Sequence, residues 1–238
     1  MDKSTRRDFI KQAAAGATLA ALAEDVLAQT SPASATGLPT RVLGRTGQRV
    51  SILALGGWHL GAFTFTLTRD TDVRLDPAKG GGSVWDVGCY PVSYGRFVLG
   101  EEPAEAFGWQ VAGPTGVDET FSGQLRFPSG AILAFDCGFR APLRTFVEIV
   151  GSEGVLMVAR PFKPGLAEKI LLTRGEETEA IEVAGQELYR GEVEDMADAV
   201  LLGRTPRVSL ADSRANVAAL LALLRSAREG KPVAVRQG

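Results

Sequence analysis

Three consecutive glycines, Gly80 to Gly82, lead directly into the apolar run Ser83-Val-Trp-Asp-Val-Gly-Cys-Tyr-Pro91. A triple glycine lets the backbone turn, or approach another group, where a Cβ would clash. If the following run is helical, Asp86 and Tyr90 stand at i and i+4, one above the other on the same face. A carboxylate and a phenol held side by side can orient a hydroxyl or carbonyl and pass a proton. The same spacing also fits a helix start whose Asp caps or pairs locally and whose Tyr is core.

The rest of the chain predicts a sheet with two closing helices. Residues 63–69 alternate apolar and polar side chains, as does Phe121-Ser-Gly-Gln-Leu-Arg-Phe127. Residues 131–139 put Leu133, Phe135, Cys137 and Phe139 on one face, which makes Cys137 a core residue. Further strands are expected at 145–150, 155–158, 170–173 and 179–183, joined by short turns. Residues 84–99 read as a helix that Pro91 kinks or restarts, with Gly100 as its C-cap. Residues 192–202 carry Val193, Met196, Ala197, Val200 and Leu201 at helical spacing. A last helix, capped by Ser209 and stopped by Gly230 and Pro232, carries Val217, Leu220, Leu221 and Leu224. Both stripes are expected to be core packing. The fold class predicted is α+β, a large, mostly antiparallel, open-faced sheet with helices packed on one face.

Residues 1–28 read as a targeting segment, separate from the fold. Thr5-Arg6-Arg7-Asp8-Phe9-Ile10-Lys11 has the twin-arginine export pattern, and the apolar stretch 13–23 is too short to span a bilayer. The expected location is therefore periplasmic, with no membrane association after export. Residues 29–37 are small and polar, a flexible leader. The net charge of −2 excludes the broad basic surface that non-specific nucleic-acid binding requires. His59 is the only histidine, and Cys89 and Cys137 lack zinc-ligand spacing, so no metal is expected. The two cysteines are read as buried thiols. Arg140 and Arg144 flank Pro142 in an expected surface loop, and Glu101-Glu102 and Glu176-Glu177 read as solvated turns. Trp85 and Trp109 are expected as core or interface anchors.

From residue 63 onward the chain resembles the C-terminal domain of the Gfo/Idh/MocA oxidoreductases. The resemblance rests on Gly80-Gly-Gly-Ser-Val-Trp-Asp-Val-Gly-Cys-Tyr-Pro-Val, on Glu148-Ile-Val-Gly-Ser-Glu-Gly-Val-Leu and on Ser209-Leu-Ala-Asp-Ser-Arg-Ala-Asn-Val. It implies hydride exchange between NAD or NADP and a sugar or polyol, with Tyr90 handling the hydroxyl proton and Asp86 orienting the substrate or tuning Tyr90. It also implies homo-oligomers that associate through the sheet. Residues 38–61 instead resemble the opening of an aldo/keto reductase, a short hairpin and first barrel strand, without that family's catalytic tetrad.

Two parts of the first resemblance are missing. No G-x-G-x-x-G occurs, and roughly 25 to 35 residues between export segment and domain cannot hold a Rossmann domain, one βαβ unit alone taking about 30. The Glu-Lys-Pro motif with its lysine is also absent. The expected organisation is thus a signal at 1–28, a leader and hairpin fragment at 29–62, and a substrate and oligomerisation domain at 63–238. Such a chain would be truncated or fused, doubtful in cofactor binding and inactive alone. The alternatives are a non-catalytic module that dimerises or binds a sugar, and, more weakly, an aldo/keto reductase fragment.

Overall fold

The structure is a computed structural model that describes residues 40–42, 49–51, 61–68 and 71–236. The export segment, the leader and His59 lie outside the described residues. Strands β1 (Thr40–Val42) and β2 (Arg49–Ser51) pair antiparallel as a separate two-stranded sheet.

The remaining strands make one nine-stranded sheet. They are β3 (Gly61–Thr66), β4 (Glu105–Ala112), β5 (Asp118–Arg126), β6 (Ile132–Gly138), β7 (Arg140–Gly151), β8 (Gly154–Val158), β9 (Ala167–Arg174), β10 (Glu177–Ala184) and β11 (Val233–Ala234). Their spatial order is β10-β9-β8-β7-β3-β6-β5-β4-β11. Every pairing is antiparallel except β3 with β6. That parallel pair arises because β3 inserts between β6 and β7, which a single residue separates in sequence. Arg140 and Arg144 consequently lie within β7, not in a loop, and pair with Glu119 and Asp136.

Alternation along the central strands decides which face is covered. On β5, Phe121 and Leu125 are fully buried while Thr120, Ser122, Gln124 and Arg126 point outward. Helix α1 (Cys89–Leu99) and helix α3 (Leu210–Glu229) close the inner face, with Phe135, Cys137, Leu220 and Leu223 in the core between them. Gly123 opens the space this needs. A Cβ there would stand 2.6 Å from the Phe135 ring and 3.0 Å from Leu223.

The expected stripe of α3 is half right. Leu220 and Leu224 are buried, but Val217 and Leu221 are exposed, and Ala219, Ala222 and Leu223 complete the inner face instead. The stripe of helix α2 (Arg190–Leu202) is not core at all, because no residue of α2 is buried and α2 shares no extended packing with another described element. Trp109 is likewise outside the core, edge-on to Phe107 with 4.2 Å between centroids on the outer face of β4. Trp85 packs partly against the core, as expected. Cys137 is fully buried, whereas Cys89 is only half-buried, and both are free thiols. Among the described residues no helix is long and apolar enough to cross a membrane.

Candidate functional site

The glycine run folds into a cradle whose amides are consumed by the chain itself. Gly80 donates to the Pro77 carbonyl, Gly81 to Asp76, Gly82 to Arg74, and Asp86 back to Gly82. The buried Asp118 carboxylate fills the cradle. Its Oδ2 accepts from the Ser83 hydroxyl at 2.6 Å and from the Val84 amide at 2.8 Å. Gly82 has φ +124°, and a Cβ at this position would collide with Asp118 Oδ1. Only glycine therefore allows the chain to wrap this carboxylate. Burial pushes the Asp118 carboxyl up from its ordinary value, and the two donated hydrogen bonds oppose that shift.

The run beyond the cradle is helical, but not as one regular helix. Val84–Gly88 forms a π-turn, and α1 begins at Cys89, which puts Pro91 in the first turn of α1. The helical run continues from the π-turn into α1, so Pro91 stands where the π-turn shifts the hydrogen-bond register, not at a free helix end. Gly100, at φ +62°, ends α1 as the C-cap. Inserted π-turns recur at functional sites and change the facing of side chains on either side.

The π-turn gives Asp86 and Tyr90 different partners. Asp86 accepts from Arg74 Nε at 2.9 Å, and Arg74 Nη1 also reaches Asp72 at 3.3 Å. The guanidinium stands 5.7 Å from the Phe65 ring centroid as well. Its bond to Asp86 raises Arg74 above the usual arginine value, so the cation is fixed there at any ordinary pH. Tyr90 packs against Phe63 at 5.4 Å and Phe162 at 5.6 Å, centroid to centroid. Its hydroxyl makes no hydrogen bond to a described residue, and the residue is 42% exposed.

Tyr90 lines a cavity of about 870 Å³, together with Tyr94, Phe97, Phe162, Arg207, Asp212 and Asn216. Buried Arg96 also lines the cavity and ties its side chains together. It donates to both oxygens of Glu102 (2.7 and 2.8 Å), to Asp212 at 2.9 Å and to Asn216 at 3.3 Å. Glu102 is therefore a tethered residue, not a solvated turn, and Glu101 accepts from the Ser129 amide. Asp86 does not line this cavity. Burial pushes the Tyr90 phenol up, and the charges of Cys89, Tyr189, Asp86 and Glu192 push it further the same way. With no cation among the described residues acting on it, the phenol is a protonated donor near neutrality.

The cradle does not fit a dinucleotide. A pyrophosphate needs free amides at a helix N-terminus, and here those amides already have acceptors, with a carboxylate in the position a phosphate would take. Among the described residues no group of three His, Cys, Asp or Glu is placed to hold a metal. Sequence reasoning singled out Asp86 and Tyr90 as candidates and did not name Arg74, Asp118 or Phe162. Arg74 and Asp118 are distant polar residues with no motif of their own, and Phe162 sits in a Pro-rich loop.

Residues 44–157 match the GFO/IDH/MocA C-terminal domain family. D-xylose 1-dehydrogenase (NADP(+)) 2 of Haloferax volcanii is 34% identical over 176 residues, covering 72% of this chain and 54% of that protein. The 1,5-anhydro-D-fructose reductase of Ensifer adhaerens is 26% identical over 170 residues, 69% of this chain and 51% of its own. The chain thus spans about half the length of the curated relatives it matches. Among solved structures, aldose-aldose oxidoreductase from Caulobacter crescentus complexed with glycerol aligns with a TM-score of 0.66 at 24% identity, over 73% of this chain and 54% of that one. Levoglucosan dehydrogenase with NADH and L-sorbose aligns with a TM-score of 0.62 at 17% identity, over 75% and 58%. At these identities the structural likeness shows a shared fold.

Proposed function

We infer that this chain belongs to the GFO/IDH/MocA oxidoreductases and forms a substrate-handling half, which takes a sugar or polyol and holds the group that moves its hydroxyl proton. The observation that carries the reading is the half-exposed phenol of Tyr90, unbonded to any described residue, in a cavity that Tyr94 and Phe162 also line, beside a turn held by Asp118.

Each residue then has a physical role. Tyr94 and Phe162 offer apolar faces to the C–H side of a sugar ring, while Asp212 and Asn216 offer acceptors to its hydroxyls. Tyr90, protonated at neutral pH, donates its proton to a substrate oxygen; accepting one in return requires a cation that no described residue supplies beside it. Arg74 Nε donates to Asp86 and fixes its place behind the site, from where Asp86 raises the Tyr90 phenol through its charge. The hydride chemistry of the relatives belongs to a nicotinamide dinucleotide, for which the described residues offer no seat. The chain alone is therefore expected to bind substrate and not to turn it over. Export through residues 1–28 belongs to the same reading, and replacing Arg6 and Arg7 by lysine should retain the protein in the cytoplasm.

The test is direct binding. Titration of the chain with D-xylose, followed by saturation-transfer NMR, should show weak binding that Phe162→Ala lowers about fivefold or more. Tyr90→Phe should leave thermal stability within about 0.5 kcal/mol of the parent. Xylose binding unchanged in both variants removes this cavity as the site. NADPH binding by the unmodified chain at millimolar concentration removes the claim that it is inactive alone.

A further inference from the structure

Helix α1 sets one face on the core and turns another into the cavity. Val92 and Leu99 pack on the core, while Tyr90, Ser93, Tyr94 and Phe97 all line the cavity. These four stand at i, i+3, i+4 and i+7, the spacing of a single helical stripe. Tyr90 and Tyr94 are thus about one turn apart, roughly 6 Å along the axis. At that separation two phenols reach different oxygens of a ring-sized ligand and do not compete for one.

The ring and the hydroxyl of Tyr94 are met differently. The ring stands edge-on to Phe162, with 6.2 Å between centroids. The hydroxyl makes no hydrogen bond to a described residue, yet every fully enclosed side-chain oxygen or nitrogen among the described residues has a partner, so this one is reachable from the cavity. A half-buried phenol without an acceptor has given up water for apolar neighbours and gained nothing polar in return. Burial pushes its pKa up, so it holds its proton and is a donor across the neutral range. The cations on the same wall already have carboxylates: Arg96 binds Glu102 and Asp212, and Arg207 pairs with Asp195. A row of neutral hydroxyls beside neutralised cations suits an uncharged, oxygen-rich ligand.

We propose that Tyr94 is a specificity-determining residue of this site, its hydroxyl donating to a second oxygen of the sugar or polyol, on a different carbon from the oxygen that Tyr90 serves. The ligand class narrows accordingly to uncharged compounds with at least two free hydroxyls. A monohydroxy alcohol, or a ring blocked at the second oxygen, falls outside it. The proposal rests on the reading of this cavity as the sugar site.

The test pairs Tyr94→Phe with D-xylose and its monodeoxy analogues, binding being followed by saturation-transfer NMR. Tyr94→Phe removes one oxygen and keeps the ring against Phe162, so far-UV circular dichroism should be unchanged. Xylose binding should fall about fivefold, the loss of one hydrogen bond. One monodeoxy analogue should bind the parent and Tyr94→Phe alike, because it lacks the oxygen that Tyr94 contacts, and a different analogue should do so for Tyr90→Phe. The Tyr94 Cζ resonance, assigned by its loss in Tyr94→Phe, should shift when xylose is added and stay in place with the matching analogue. Equal xylose binding by the parent and Tyr94→Phe overturns the proposal. So does a loss that is the same for xylose and every analogue, as a purely structural role would give, and so does one analogue matching both phenols. Xylose binding that Phe162→Ala lowers and Tyr94→Phe does not would remove Tyr94 and leave the cavity as the site, whereas a parent that binds no xylose removes both.

Discussion

Helices α2 and α3 carry apolar residues at the same spacing, yet α3 sets Ala219, Leu220 and Leu223 against the sheet while every residue of α2 remains at least partly exposed. The difference lies in what stands opposite them. Under α3, Gly108 and Gly123 face one another across β4 and β5 and leave a trough that the helix fills. Nothing of the kind is built for α2. The outer strands follow the same division: β5 and β6 are buried along one whole face, while no residue of β8, β9 or β10 is buried. A helical stripe shows that a surface seeks a partner, and the covering element decides whether the chain supplies it.

The largest expected effect tests that division directly. Leu223→Ala should cost about 2–5 kcal/mol by chemical denaturation, as for a large core residue truncated in a packed site. Leu201→Ala, on the same kind of stripe in α2, should change stability by no more than about 0.5 kcal/mol at protein concentrations where the chain is monomeric. Equal losses would erase the contrast between the two helices. The next effect concerns the lock beneath the site. Asp118→Ala leaves the Ser83 hydroxyl and the Val84 amide without their acceptor and should cost about 1–3 kcal/mol. Asp118→Asn keeps an acceptor and should cost less. Because burial raises the folded-state pKa of Asp118, its stabilising contribution is full below the unfolded value and declines as pH rises through the folded one. The advantage of Asp118 over Asn should therefore be greatest in acid.

Most of the covered half was legible in the sequence. Alternation placed Phe121, Leu125, Leu133, Phe135 and Cys137 on one face, and Ser209, Gly100 and Gly230 marked helix ends where they occur. Local chemistry fixes such features. The parallel seat of β3 between β6 and β7 was not legible, because strand order is a long-range choice that short turns do not reveal. Nor was the π-turn, since one added residue per turn leaves the apolar pattern nearly intact while redirecting Asp86 to Arg74. Asp86 and Tyr90 were visible as candidates from spacing. Their separate partners were not, because Arg74 and Phe162 reach them through the tertiary fold alone.

A smaller effect sharpens the comparison within the site. The Arg74–Asp86 pair is partly exposed, so solvent screening limits its worth to about 1 kcal/mol or less. Arg74→Met should cost about that amount, read by chemical denaturation. Arg74→Lys keeps the charge but loses the fork, and should recover part of that stability. If methionine and lysine behave alike, the guanidinium is mere packing against Phe65.

The smallest effect separates a thiol at the cavity edge from one deep in the core. Cys89 is pushed up from 9.0 to about 11, first by burial and then by the charge of Asp86. The folded chain thus holds this proton more tightly than the unfolded chain does. The stabilisation it contributes is complete below pH 9 and is lost as pH rises toward 11. Stability measured across that window should fall more steeply in the parent than in Cys89→Ser, which has no proton to lose there. Cys137 is fully buried and raised further, but Ser83 stands beside it at 3.6 Å, so Cys137→Ser would also disturb the Asp118 lock and lose stability at every pH. A Cys89→Ser variant whose alkaline slope matches that of the parent would mean that Cys89 is solvated in solution and that the covered half of the sheet ends short of the Tyr90 helix.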